Sequence, residues 1–399
     1  MEPSARPGRR IRVGVAGLGA VAQAVHLPLL ARLPERFEIA ALADLSPSLR
    51  EAMGERHRVR PTARVATVSE LLETSDLDAV ILLTSGSHGA DALAALDRGL
   101  PVLCEKPLAF TVAEADRLAV SPNAGRLLLG YMKTFDPAVV EARRLVEDPA
   151  TGLGGLRAIE VAVLHPTSAA QLAFAHLRPP VPDADPAVLA GLRDATAELV
   201  RAAIGEAAGE LGGLYAGILL GSVVHEWSVI RAVAGDVVAV DLVDAWGESA
   251  DDPGSVLVVA RLGDGTRVSL GWHYLPGYPA YREDVRFHFV GGSVELSFPA
   301  PYRLHEPTVL TVSTGIQETR RRLVFDSIEE AFERELLAFH ELVVDGARPS
   351  TGIADGRTDI VTSQRAIARW AARRGIAIGG EAAGLADPPA EPLATGVPA

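Results

Sequence analysis

The chain has 399 residues, 48% of them hydrophobic, and carries a formal net charge of −13. That length exceeds one ordinary core and predicts two domains, while the acidic balance, with no sustained basic stripe, argues against a nucleic-acid partner. The single cysteine, Cys104, rules out an intrachain disulfide and points to the cytoplasm; no secretion signal opens the chain and no apolar run reaches bilayer length, so no membrane role is expected.

Residues 12–16 read as a short buried strand, followed by the turn Gly17-Leu18-Gly19-Ala20-Val21-Ala22 and a helix over 21–33 interrupted at Pro28. In such a turn Gly17 permits the tight bend, Gly19 lets the backbone approach a pyrophosphate, and Ala22 lets the helix pack closely on the strand; Ala20 and Val21 open a helix whose free N–H groups and positive end suit an anion. A second strand, 37–43, ends at Asp44, where a carboxylate accepts from adenosine ribose hydroxyls and repels a 2′-phosphate. This favours NAD, with NADP left open because Arg50 is near in sequence. Asp44 is otherwise a turn residue before a helix over 47–57 that Ser46 caps.

A strand near 65–68 and an apolar strand over 77–84 come next, the latter ending in Thr84-Ser85-Gly86-Ser87-His88. In open α/β sheets that carboxyl edge faces ligand, which makes Thr84 and His88 candidates for the cofactor channel. After a helix over 90–98 stopped by Gly99, the run 101–104 leads into Glu105-Lys106-Pro107. Lys106 is thereby placed beside a nicotinamide, where a desolvated lysine exchanges protons near neutrality; Glu105 pairs with it or anchors the turn, and Pro107 restricts the backbone. Strands apolar throughout and alternating with helices predict a doubly wound parallel sheet over residues 10–131.

Beyond Gly130-Tyr131-Met132-Lys133 the pattern changes. A helix over 137–146, an alternating strand over 156–164 and further strands from 237 to 314, punctuated by Gly263-Asp264-Gly265 and Gly291-Gly292, predict an α/β domain over 132–378 built on a large, mostly antiparallel open sheet. Residues 166–213 read as an insertion that packs against the fold or walls the substrate, and 379–399, rich in Gly, Ala and Pro, as a poorly ordered tail. Val223, Val224, Trp227, Ile230 and Ala234 recur at helical spacing, which sets His225 in the first turns of a helix, either as a buried core histidine or as an acid/base. Dispersed histidines without HExxH or paired-cysteine spacing predict no metal site.

The glycine turn with His26-Leu27-Pro28, the 84–88 segment, Val102 through Leu108, Gly130 through Lys133 with Asp136-Pro137, Val224-His225-Glu226 and Phe332 through Leu336 together resemble the glucose-fructose oxidoreductase, inositol dehydrogenase and rhizopine-catabolism (Gfo/Idh/MocA) family. The resemblance implies a Rossmann domain followed by an α/β domain whose open sheet makes homodimer or homotetramer contacts. It implies hydride transfer between nicotinamide and a hydroxyl-bearing carbon of a sugar, cyclitol or related polyol, with Lys106 and His225 catalytic and Tyr131, Lys133 and His165 near the substrate. Alternatives are a redox-neutral use of bound NAD or a non-catalytic sensing role. Two departures stand out: the family's aspartate four residues before the histidine is Gly221 here, and the 166–213 insertion lengthens the approach to the histidine. Glu226 is no simple substitute for that aspartate, because adjacent helical residues point apart.

Overall fold

The computed structural model describes residues 9–74, 76–177, 182–247, 254–304, 306–316 and 318–385. Strands β1 (Ile11–Ala16), β2 (Phe37–Ala43), β3 (Arg64–Val65), β4 (Ala79–Leu82), β5 (Val102–Glu105) and β6 (Leu127–Gly130) pair in parallel in the order β3-β2-β1-β4-β5-β6. Val13, Val15, Val80, Ile81, Leu82, Val102, Leu103 and Leu128 are all buried, as both faces of a helix-covered sheet require. The connecting helices are α1 (Leu27–Arg32), α2 (Pro47–Arg56), α3 (Val68–Leu72), α4 (Gly89–Asp97) and α5 (Val112–Ala119). Because every strand runs the same way, Gly17, Asp44, Thr84, Lys106 and Tyr131 all emerge at one edge of the sheet.

Local physics explains where these elements depart from expectation. Pro28 does not break the first helix: a π-turn over Ala22–His26 leads directly into α1 and accommodates the missing N–H. The strand expected at 65–68 shrinks to β3, because the Thr67 hydroxyl accepts from Glu70 N–H and Glu70 caps back, starting α3 instead. Ser46 caps α2 by accepting from Leu49 N–H, with Pro47 in its first turn.

After α6 (Pro137–Glu147), strands β7 (Leu156–His165), β8 (Val237–Trp246), β9 (Ser255–Leu262), β10 (Arg267–Tyr274), β11 (Arg282–Phe289), β12 (Gly292–Phe298), β13 (Val309–Ile316) and β14 (Thr319–Phe325) build the second sheet, ordered β14-β13-β12-β11-β7-β10-β9-β8. Only the β7–β10 pairing is parallel. The expected α/β architecture is therefore present: a parallel doubly wound sheet joined to a large, mostly antiparallel one. Helices α7 (Ser168–Leu172), α8 (Pro186–Ile204), α9 (Ala208–Gly212) and α10 (Val224–Ala234) lie between β7 and β8, with a π-helix over Gly213–Val223 feeding α10; α11 (Ala331–Asp345) and α12 (Ile353–Arg374) close the fold.

Two expectations are corrected. The helical run 186–234 is long and apolar enough, by length and composition, to cross a bilayer. It turns at Gly205, whose φ is +65°, and sinks Leu211, Tyr215, Ile218, Leu219, Leu220 and Trp227 into the core, the behaviour of a core helix. The predicted tail also begins too early. Gly380–Gly384 forms a 3₁₀ turn with Ala382 buried, and the Glu381 carboxylate accepts from the N–H groups of Val112 and Ala113 at 2.7 and 2.9 Å, neutralising the free donors at the start of α5. Residues 386–399 lie outside the described residues.

Candidate active site

A cleft of about 1270 Å³ runs between the carboxyl edge of the parallel sheet and the inner face of the second sheet. At one end it is bounded by Gly19, Ala20 and Val21. Gly17 has φ +85°, and a Cβ there would come within 2.6 Å of the Leu83 carbonyl, so this turn closes only with glycine. Gly19 contrasts with it: a Cβ would meet no protein atom within 4 Å, and the space it would take opens on the cleft. That gap beside free helix N–H groups fits a pyrophosphate approaching the backbone.

Asp44 ties the turn to the end of β2, one carboxylate oxygen accepting from Leu18 N–H at 2.8 Å and the other from Ser46 N–H at 2.9 Å. A carboxylate has about four acceptor positions, which leaves room for ribose hydroxyls. Thr84, Ser85 and Gly86 line the cleft. His88 does not face it: its ring is buried, and its nitrogens lie 2.7 and 2.8 Å from the Pro107 and Thr84 carbonyl oxygens, stitching the β4 and β5 turns together.

The Lys106–Pro107 peptide is cis. Glu105, buried, accepts from Lys106 N–H at 3.1 Å and lies 3.2 Å from the ring of buried His26, so it anchors the turn and does not pair with the ammonium group. Lys106 Nζ instead donates to the Gly221 carbonyl at 2.5 Å. Wide π-helical winding leaves that carbonyl accessible at the position where the family the sequence resembles carries an aspartate. Burial, reinforced by the Lys133 charge, lowers the Lys106 pKa.

His225 lines the same cleft, and its Nδ1 is enclosed with no hydrogen-bond partner. Burial, then the Lys106 and Lys133 charges, push its pKa well below 6.5, so the ring is neutral. Glu226 points elsewhere, 3.3 Å from Lys133 Nζ. Lys133 is buried and also donates to both oxygens of Glu283 at 2.5 Å; burial opposes its charge, but the Glu283 and Glu226 carboxylates outweigh it and raise its pKa. Burial lifts Glu226 to about 8.

His165 lines the cleft beside Trp272 and Tyr281, with ring centroids 5.0 and 5.8 Å away. Its Nδ1 lies 2.7 Å from the Pro166 carbonyl, which leaves Nε2 to accept from the Gln171 amide at 3.3 Å. Tyr131 is absent from the cleft wall: its ring is buried and its hydroxyl donates to Asp359, which also pairs with Arg231. That network joins the end of β6 to α10 and α12, so Tyr131 links the two domains from behind the cleft wall.

Sequence reasoning missed Glu283, Tyr281, Trp272 and Ser222. Tyr281 donates to Glu283 at 2.5 Å, and Trp272 Nε1 to the Ser222 hydroxyl at 2.9 Å. Glu283 was findable, since it falls in phase with buried Val285, Phe287 and Phe289 on β11, and a carboxylate on a core-facing register calls for a buried cation. No group of three or more potential metal ligands occurs among the described residues.

Residues 11–124 match a family model described as oxidoreductase family, NAD-binding Rossmann fold. Inositol 2-dehydrogenase 2 of Paenarthrobacter aurescens is 36% identical over 152 residues, 36% of this chain and 44% of that protein. Inositol 2-dehydrogenase 3 of Saccharopolyspora erythraea is 25% identical over 359 residues, 87% of this chain and 89% of the relative. The first match thus spans less than half of its relative. Among solved structures, an aldose-aldose oxidoreductase from Caulobacter crescentus superposes with a TM-score of 0.65 at 22% identity, covering 92% of this chain and 98% of the other. A mutant of a 3-ketoreductase from Actinomadura kijaniata, in complex with TDP-benzene and NADP, gives 0.66 at 19% identity, with 92% and 98% covered. These two likenesses concern the fold.

Proposed function

We propose that this chain is a Gfo/Idh/MocA-type oxidoreductase, an NAD-dependent dehydrogenase that oxidises a hydroxyl-bearing carbon of a cyclitol, sugar or related polyol, or reduces the matching ketone. The observation that carries the reading is the bond from Lys106 Nζ to the Gly221 carbonyl, which sets the lysine of the β5 turn against the histidine-bearing helical run in the cleft that starts at the glycine turn. The inositol 2-dehydrogenase names of the sequence relatives support a cyclitol as the first substrate to try.

Gly19, Ala20 and Val21 would hold the pyrophosphate, Asp44 the adenosine ribose, and Thr84 with the Glu105 and Lys106 turn the nicotinamide half. When bound, NAD supplies the hydride acceptor. Lys106 Nζ, with a pKa lowered by burial, takes the hydroxyl proton in oxidation and returns it in reduction. His225, kept neutral by burial beside two ammonium groups, is the second proton acceptor. Lys133, clamped by Glu283 and Glu226, presents a fixed positive charge to the polyol oxygens, while His165, Trp272 and Tyr281 wall the cleft and exclude water. Exposed Val238, Leu242 and Trp246 on β8 support subunit contacts through the second sheet, and the buried, free Cys104 supports a cytoplasmic setting.

The test is nicotinamide absorbance on mixing purified protein with NAD and, in turn, myo-inositol and a panel of other cyclitols and sugars. Stoichiometric NADH formation with one of them is the expected result. Binding of NAD and polyol without any NADH, together with a chemically altered polyol, would replace net oxidation by a redox-neutral reaction.

A further inference from the structure

We propose that Asp183, carried by the insertion between β7 and α10, makes the adenosine end of the cleft selective against a 2′-phosphate by filling, with a carboxylate of the same chain, the cradle such a phosphate would use. The inference rests on the reading of the cleft as a nicotinamide-dinucleotide site.

The cradle is built at the start of α2, directly after Asp44. A ten-residue helix begins here at Pro47, which has no N–H, and the Ser46 hydroxyl caps Leu49 N–H, so Ser48 N–H is the first-turn donor left for an outside group at the helix's positive end. The Ser46 and Ser48 hydroxyls lie 3.3 Å apart at its rim, and the Arg50 guanidinium reaches back onto the Asp44 carbonyl. Two hydroxyls, a free N–H and a guanidinium are the donors a phosphate monoester uses. In dinucleotide folds the adenosine 2′ position lies at this place, beside the acidic residue that ends the second strand.

Here the occupant is the protein itself. One Asp183 oxygen accepts from Ser48 N–H at 2.8 Å, across 135 residues of sequence. The other is enclosed by the protein, so the carboxylate fills the space a phosphate would need. The Ser46 hydroxyl, then the N–H and hydroxyl of Ser48, hold the carboxyl down at about 2, so it stays charged at any working pH. The same insertion passes over the neighbouring cofactor loop, where a methyl on Gly86 would come within 3.8 Å of Thr196 on α8. A 2′-phosphate, with a charge of roughly −1.5 to −2, would have to displace Asp183 and sit beside Asp44 as well. The adenosine of NAD faces neither cost.

The test titrates the full-length protein, Asp183→Asn, Asp183→Ser and Asp183→Ser with Arg50→Ala against NADH and NADPH, following nicotinamide fluorescence. Wild type should prefer NADH. Both single variants should move the affinity ratio toward NADPH, by about ten- to a hundredfold for the serine, the range for replacing a repulsive carboxylate with an open donor set. Adding Arg50→Ala should reverse the shift. An unchanged ratio in both single variants, with wild type still binding NADH, overturns the role of Asp183 alone, as does a wild type that prefers NADPH. A wild type that binds neither nucleotide overturns the dinucleotide reading and this inference with it.

Discussion

Replacing Lys106 with alanine removes the one ammonium group that the structure aims from the β5 turn into the cleft. Its Nζ donates to the Gly221 carbonyl at 2.5 Å, and that carbonyl borders the cleft, so water can take over the bond at a cost of about 1 kcal/mol to the fold. The chemical loss is larger. Proton transfer by a positioned side chain contributes roughly a hundred- to ten-thousandfold, or about 3–5 kcal/mol of barrier at 1.36 kcal/mol per tenfold. The expected outcome with NAD and a turned-over polyol is a kcat reduced by about that factor while NADH affinity, read by fluorescence, stays within a few fold of wild type. Because burial lowers the Lys106 pKa, oxidation should speed up as pH rises through that value and the amine becomes free to accept a proton. Lys106→Arg keeps a cation but cannot release a proton, and should lose that pH limb. Full turnover by Lys106→Ala with normal binding, or an intact pH limb in Lys106→Arg, would refute the assignment.

The two glycines of the first turn should separate folding from binding. Gly17→Ala places a Cβ 2.6 Å from the Leu83 carbonyl at φ +85° and should lower the thermal midpoint sharply, whereas Gly19→Ala meets no protein atom and should melt like wild type yet lose NADH affinity at least about tenfold. Glu283→Gln strips Lys133 of its main counter-ion; breaking a buried pair costs about 3–5 kcal/mol, visible in denaturant unfolding, and Lys133→Met with Glu283→Leu together should cost less than the two singles summed. Glu226, raised by burial to about 8 from 4.5, contributes stability that is fully present below about pH 4.5 and is lost as pH rises through about 8. Thermal midpoints of the wild type should therefore fall across that window more steeply than those of Glu226→Gln; parallel curves would show that Glu226 is ionised throughout, held by Lys133.

The missing aspartate gains a physical account. With Gly221 in its place there is no side-chain carboxylate to hold Lys106 or orient His225, and the structure supplies a backbone carbonyl for the lysine and nothing for His225 Nδ1. Glu283 pairs with Lys133 instead, and the Glu226 carboxyl group lies 3.3 Å from the same ammonium group. The carboxyl groups of this site thus hold Lys133, while burial tunes Lys106, the lysine proposed to exchange the proton.

The parallel domain was legible in the sequence because its signals are local. Apolar runs such as 79–82, a glycine turn between a strand and a helix, and Asp44 and Lys106 at strand ends follow from chain geometry alone, and parallel pairing then brings all those ends to one edge. His88 and Tyr131 show the limit: motif position brought them near the cleft, but which way a ring turns depends on the partners it finds, here two carbonyls for His88 and Asp359 for Tyr131. The Lys133–Glu226–Glu283 cluster and the reach of Asp183 to Ser48 join residues 93 to 150 positions apart, and no local periodicity encodes such meetings. Sequence by itself determined the strand ends and the chemistry they can carry. Tertiary structure alone decided which buried charges face one another, because that depends on how the second sheet and the insertion close over the first.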